Sequence, residues 1–159
     1  MSDLFKNYFG HEVKIRLVRE SKPLKECFIV SPKDVYELVK KELKSADREI
    51  FLAVTLNTRN KVLGINVISM GTLNASLVHP REVFKMAILQ NASGIILAHN
   101  HPSGTTEPSS DDLRMTERLS EAGKLLDVDI MDHVIVGKSF YSFMDNGLIK
   151  TGKGGEKNA

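Results

Sequence analysis

The sequence predicts an α/β (α+β) domain, a mixed β-sheet flanked by helices, on three observations. Strand-type and helix-type patterns alternate along the chain rather than falling into separate blocks. Two β-rich runs, residues 48–57 and 62–69, are separated by the turn residues 58–61, which is the pattern of a hairpin. A further run, residues 94–98, is apolar apart from its leading glycine, as expected of a strand buried on both faces at the centre of a sheet.

Each element follows from local chemistry. Val13, Ile15 and Leu17 alternate with Lys14, Arg16 and Arg19, which predicts a half-buried strand over residues 11–20. Lys22-Pro23-Leu24-Lys25 predicts a turn, and residues 26–30 a short second strand or an extended connector. Ser31-Pro32-Lys33-Asp34 is a helix start, with Ser at the cap, Pro at the first position and an acid in the first turn. Val35, Leu38, Val39, Leu43 and Ala46 recur at helical spacing, and that helix should end near Asp47. In the hairpin, Gly64 is a candidate bulge. Residues 71–75 predict a loop and 76–78 a short extended piece. His79-Pro80-Arg81-Glu82 opens a second helix through Val83, Met86, Ala87 and Leu89, which Asn91 and Gly94 bracket at its exit. Ser109 caps a third helix carrying Leu113, Thr116, Leu119, Ala122 and Leu126. Residues 129–137 predict a strand and 139–143 an edge strand, turned off by Asp145-Asn146-Gly147. The tail, 151–159, is rich in Gly and Lys and predicts disorder.

At 159 residues the natural expectation is one domain, large enough to fold without a disulfide or metal staple. The 22 basic and 20 acidic residues give a formal charge of +2, which argues neither for nor against nucleic acid. Lys40, Lys41 and Lys44 read as a solvated helix face, because no aromatic stacking residues accompany them. The lone Cys27 cannot form an internal disulfide and fits a reducing compartment. The first residues hold no apolar segment long enough for a signal peptide, and no run approaches the roughly 20 apolar residues of a membrane span. A cytoplasmic protein is expected, with no membrane partner. Oligomeric state is not written in the pattern.

The chemistry concentrates in Ala98-His99-Asn100-His101-Pro102-Ser103-Gly104 and the residues that follow. Side chains two apart on a strand point to the same side of the sheet. His99 and His101 would therefore aim two imidazoles at one point, where a strand opens into a loop. Glu107, Asp111 and Asp112 lie within the next eleven residues. This is a ligand set for a divalent metal, most simply zinc. The plainer alternative is two polar histidines in a loop. Ser109-x-x-Asp112 also has the spacing of a capping box, and the two readings are compatible, because a cap fixes the backbone that presents Asp112. The string His-Asn-His does not argue for a nuclease, since the nucleases named for those letters spread them over a longer strand-and-helix unit.

His99-x-His101-Pro102, six residues, Ser109, two residues and Asp112 together resemble the metal-binding motif of the JAB/MPN (JAMM) metalloprotease domain. The spacer is one residue shorter than in the deubiquitinating members. That spacer, His-Asn-His-Pro-Ser-Gly, the earlier Val78-His79-Pro80-Arg81-Glu82 and the later Asp132-His133-Val134-Ile135 together resemble the RadC branch. The resemblance covers roughly residues 30–149. It implies a JAB/MPN-like (cytidine-deaminase-like) fold over 31–150, with 1–30 a strand region packed on that core. RadC proteins usually carry an N-terminal helix-hairpin-helix region, which these 159 residues are not expected to hold, so a DNA-binding role through that region is not expected of them.

The resemblance also assigns roles. His99, His101 and Asp112 would hold Zn2+ and leave a fourth position for water, the arrangement of catalytic rather than structural zinc. Asp111, the rival to Asp112, would point about 100° away around the helix. Glu49, at the mouth of the first core strand, takes the place of the family's general base. Glu82, at a helix start where an acid suits the helix dipole, is the rival, and spacing alone does not choose between them. Ser109 would hydrogen-bond a developing oxyanion, or act as a cap alone. His79 reads as shaping a turn and His133 as a hydrogen-bonded core residue. Gly104 serves the loop's backbone geometry and Pro102 stiffens the exit from the histidine pair.

Three functions compete at this stage. The first is a zinc-dependent hydrolase of a peptide or isopeptide bond, with a peptide or protein substrate and the 71–78 loop as a substrate-facing edge. The second is a DNA-repair-associated accessory domain that binds nucleic acid or a protein partner, with the metal incidental. The third is a structural module retaining the fold, against which the intact ligand set speaks.

Overall fold

The computed structural model describes residues 26–71 and 78–149, together with Lys14, Leu17 and Val18. Apart from those three residues, the strand expected over 11–20 lies outside the described residues, as do the turn at 22–25, nearly all of the 71–78 loop and the 151–159 tail. Residues 26–30 are the extended connector: Phe28 forms an isolated antiparallel bridge with Lys61, and Cys27 O accepts from Val62 N at 2.8 Å.

Helix α1 (Pro32–Lys44) opens at Ser31, where both halves of a capping box with Asp34 are made. Such a cap contributes about 0.5–2 kcal/mol. Its Val35, Val39 and Leu43 are buried, each contributing about 1.5–3 kcal/mol by removing apolar surface from water. The helix ends at Lys44 rather than near Asp47. Ser45 takes the carbonyl of Glu42 on its hydroxyl at 3.1 Å, and Ala46 N turns back to Leu43 O. Strands β1 (Glu49–Leu56) and β2 (Val62–Gly71) form the antiparallel hairpin. Its turn is held by Asn57 Oδ1, which accepts from Arg59 N at 2.9 Å and Lys61 N at 3.0 Å.

One bulge sits next to Gly64 rather than on it. Thr55 pairs with Gly64 and Leu56 with Val62, so Leu63 is the extra residue, and a second shift leaves Ile68 out of register. Gly64 instead makes room for Gln90, whose amide would lie 2.6 Å from a Cβ at that position. Helix α2 (Pro80–Leu89) then leads to β3 (Gly94–Asn100), buried along its whole length. Helix α3 (Ser110–Leu126), β4 (Asp129–Val136) and the short edge strand β5 (Phe140–Ser142) complete the fold.

The strand order is β2-β1-β3-β4-β5, with β3 and β4 parallel and the other neighbours antiparallel. The expected mixed sheet is thus present, with the apolar run third of five. Each face carries its own core. Val35, Val39 and Leu43 of α1 pack against Leu52, Val54, Ile96, Ala98 and Val134. Val83, Phe84 and Ala87 of α2, with Met115 and Leu119 of α3, pack against Phe51, Ala53, Ile95, Leu97 and Ile135. Alternation along β3 places His99 on the α2/α3 face, and α3 starts beside it.

Candidate metal centre

The end of β3 delivers His99, the residue after Asn100 delivers His101, and the capped start of α3 delivers the acid. His99 is fully buried, and His101 is more open where the strand ends. Their Nε2 atoms lie 3.0 Å apart. Asp112 Oδ1 is 3.3 Å from His99 Nε2, and Asp112 Oδ2 is 3.5 Å from His101 Nε2. One ligand atom from each of the three lies within 4.8 Å of the others, so the group could hold a metal ion. His99 at the end of β3, His101 just past it and Asp112 in the first turn of α3 thus come together in one possible metal-binding group.

The capping box is also present, and it belongs to the site. Ser109 N–H and Oγ–H both donate to Asp112 Oδ2, at 2.8 and 2.6 Å, while Ser109 Oγ accepts from Asp112 N at 3.1 Å. Oδ2 is thereby anchored and Oδ1 faces His99. Asp111 pairs with Arg114 on the outer face of the helix.

The protonation pattern suits a cation. Burial pushes His99 down to about 4, against a partly compensating pull from Asp112. Burial also pushes His133 well below the usual histidine value. The Asp112 carboxylate beside His101 raises that ring, with a further contribution from the charge of Glu49. Burial raises the Asp112 carboxyl, but its contacts with His101, His99 and Ser109 outweigh that and hold it below the ordinary carboxylate range. The site therefore sets a carboxylate whose charge is favoured beside one imidazole that burial keeps from charging and one whose protonated form that carboxylate favours.

The two candidate bases are placed differently. Phe51 pairs with His99 across β1 and β3, and the same antiparallel register carried two residues outward sets Glu49 opposite His101 on the face of the ligand group. Glu49 is half-buried and lines a cleft of about 480 Å³ with Asp47, Arg48, Gly71 and Pro102. Glu82 stands in the first turn of α2 and pairs with Lys85 Nζ at 2.7 Å and Arg81 Nε at 3.8 Å. A second cleft, about 280 Å³, reaches His101 and Pro102 from the C-terminal end of α1, with Leu43, Lys44 and Val136 in its walls. His79 occupies the cap position of α2 and makes no side-chain cap bond.

Residues 29–148 match the family model described as the RadC-like JAB domain. The chain belongs to that family. A UPF0758 protein of Desulfitobacterium hafniense is 51% identical over 130 residues, covering 81% of this chain and 57% of the relative. A UPF0758 protein of Methanosarcina mazei is 48% identical over 123 residues, covering 77% and 54%. One of Rubrobacter xylanophilus is 49% identical over 121 residues, covering 76% and 53%. The chain thus spans little more than half the length of these curated relatives. No helix among the described residues is long and apolar enough to cross a membrane.

Three residues of this RadC-like JAB domain escape sequence reasoning. His133 is the hydrogen-bonded core residue expected, yet it lies against the site, with Nε2 2.8 Å from His99 Nδ1. Thr116 Oγ1 is 2.6 Å from His133 Nδ1. Its signal was available, since Thr116 sits one turn after Asp112 on the same helix face. Asn100, on the opposite face from the histidines, ties the end of β3 to the start of β1.

Proposed function

We propose that this domain is a zinc-dependent hydrolase of peptide or isopeptide bonds. The observation that carries the reading is the convergence of His99, His101 and Asp112 on one buried point beside an open cleft. A tetrahedral ion with bonds of about 2.0–2.1 Å sets its ligand atoms roughly 3.3 Å apart. The two Nε2 atoms lie 3.0 Å apart, and Asp112 approaches each ring through a different oxygen, Oδ1 at 3.3 Å from His99 and Oδ2 at 3.5 Å from His101, so one atom from each residue falls within 4.8 Å of the others, near enough to close on such an ion. His99, His101 and Asp112 would hold the ion as three protein ligands, the number that in catalytic zinc sites leaves a place for water. Zinc held there supplies Lewis acidity for a carbonyl and lowers the pKa of a bound water to about 7.

The chain's own residues do the rest. Glu49 takes the water proton on its carboxylate and passes it to the leaving amine. Its register opposite His101 supports that role. Ser109 holds Asp112 Oδ2 with its hydroxyl proton, and serves an oxyanion once that hydroxyl turns away. Pro102, shared by both clefts, stands where an extended substrate would cross the site.

Metal analysis of the wild type beside His101→Ala and Glu49→Gln, with chelator-sensitive hydrolysis of a peptide and isopeptide panel, tests the reading. Stoichiometric zinc in the wild type and Glu49→Gln, its loss in His101→Ala, and hydrolysis by the wild type alone are expected. Pure folded protein that takes up no metal at neutral pH would overturn it.

A further inference from the structure

We propose that His133 and Thr116 form a positioning relay that holds His99 as its Nδ1–H tautomer, leaving the Nε2 lone pair aimed into the ligand group. The relay rests on the metal-centre reading only for its purpose; its hydrogen-bond logic stands on the protein alone.

The argument is a count of protons along one chain of contacts. Thr116 Oγ1 lies 2.6 Å from Asp112 O, the carbonyl four residues back, and a carbonyl only accepts. Two oxygens that close repel each other unless a proton lies between them, so the single Thr116 hydroxyl proton is spent there. Thr116 Oγ1 also lies 2.6 Å from His133 Nδ1. With its proton committed, the hydroxyl accepts at that contact, and His133 donates Nδ1–H. His133 has no exposed surface and stacks on Phe143 with ring centroids 4.6 Å apart, while Phe51 meets it edge-on. A second proton on that ring would bury a cation without a carboxylate in direct contact, at high cost. Nε2 of His133 is therefore bare and accepts. The group 2.8 Å away is His99 Nδ1, which must donate. A neutral His99 with Nδ1–H has Nε2 free, and that atom is the one facing Asp112 Oδ1 and His101.

An isolated histidine in water favours the opposite tautomer, with the proton on Nε2. Without the relay, part of the protein would present an N–H to the cation and would have to shift a proton before binding. Metal-binding histidines usually donate their second N–H to a carboxylate, a backbone carbonyl or water. Here the acceptor is a neutral imidazole. It orients the ring without adding a negative charge, so the ion's Lewis acidity is weakened less than a carboxylate partner would weaken it. Parallel pairing of β3 with β4 makes the contact, because Leu97 pairs with His133 and so sets that ring on the His99 face.

The test is long-range ¹H–¹⁵N NMR on the full chain labelled with ¹⁵N-histidine, treated with chelator at pH 7.5, together with Zn2+ titration. The expected result is Nδ1–H for both His99 and His133 before any metal is added. Thr116→Val, which keeps the shape and removes the hydroxyl, should mix the tautomers and weaken Zn2+ binding about 10- to 100-fold. Thr116→Ser should restore both. His99 observed with its proton on Nε2, or a Thr116→Val protein that keeps wild-type tautomers and Zn2+ affinity, overturns the relay. Correct tautomers in a protein that binds no Zn2+ sink the hydrolase reading and leave the relay standing; tight Zn2+ binding with the wrong tautomer does the reverse.

Discussion

The Asn100 side chain closes the ladder to Ile50 where β3 leaves the sheet. Its Oδ1 accepts from Ile50 N at 2.7 Å, and its Nδ2 donates to Arg48 O at 3.0 Å. Glu49 lies between those two contacts, so one amide on the far face of the sheet sets the backbone that carries the proposed base. Asn100 is buried, and removing a buried partner from paired backbone groups costs about 1–3 kcal/mol. Asn100→Ala should lower stability by that amount and reduce hydrolysis more than zinc affinity. Urea unfolding and a zinc titration on the same protein check it; equal losses in both would mean that Asn100 supports the whole loop rather than Glu49.

Glu49 and Glu82 are separated by their surroundings. Glu82 is an exposed first-turn acid whose pKa is lowered mainly by its bond to Lys85, so it remains ionised and engaged away from the ligand group. Glu82→Gln should leave zinc content and hydrolysis near wild type. Glu49→Gln should keep zinc and lose about 10²- to 10⁴-fold in rate, the usual contribution of a positioned acid–base. Rate measurements at saturating zinc decide between them, and an inactive Glu82→Gln would reverse the assignment.

Ser109 links helix formation to ligand placement. Ser109→Ala removes an N-cap, at a cost of about 1 kcal/mol, and strips the hydroxyl from Asp112 Oδ2. Zinc affinity should fall about 10- to 100-fold, as when the partner of a metal ligand is lost. Ser109→Thr, which keeps the oxygen, should recover most of both. Unchanged affinity in Ser109→Ala would mean that the helix alone places Asp112.

What the sequence made legible follows the range of the interactions involved. Ser31 and Ser109 announce their helices because a cap is made within four residues. His99 and His101 share a face because strand periodicity is local. Asp112 joins them because the loop is short and its helix start is strongly marked. The bulge falls at Leu63, while Gly64 meets the Gln90 side chain from outside the hairpin, a contact between distant residues that local pattern does not encode. The contact of His133 with His99 required the parallel pairing of β3 with β4, joined through the whole of α3, and nothing in either strand states which neighbour it takes. Asn100 was hidden for the same reason, being read only as the residue between two ligands.

The loop after β3 is docked by a close approach at Gly137. Gly104, at φ +78°, passes its carbonyl to Lys138 N at 3.0 Å. A Cβ at Gly137 would lie 2.5 Å from Gly104 O and 2.8 Å from Thr105 O, both backbone atoms that cannot rotate aside. Gly137→Ala should cost about 1–3 kcal/mol by overpacking and displace the loop that carries His101. Differential scanning and zinc titration should fall together. A variant with wild-type zinc affinity would show that the loop shifts without moving its ligand.

Acid should destabilise the metal-free protein over a defined window. His99 is held at about 4 against an ordinary 6.5, and His133 is shifted in the same direction. For a histidine whose folded pKa is lowered, the unfolded chain takes the proton first. Stability is therefore full above pH 6.5 and is lost as the pH falls from 6.5 towards 4. At about 1.4 kcal/mol per pKa unit, His99 alone accounts for on the order of 3 kcal/mol. His101 is raised, so its contribution is full below 6.5 and fades as pH rises through its folded value; it does not offset the acid loss. Asp112, held low, adds a further loss only below about pH 3.8. Urea midpoints measured in chelator at steps between pH 7 and 4.5 should fall steadily below 6.5, and His99→Gln should flatten that slope. Midpoints independent of pH across this window would mean that the buried imidazoles accept protons as readily as they do in the unfolded chain.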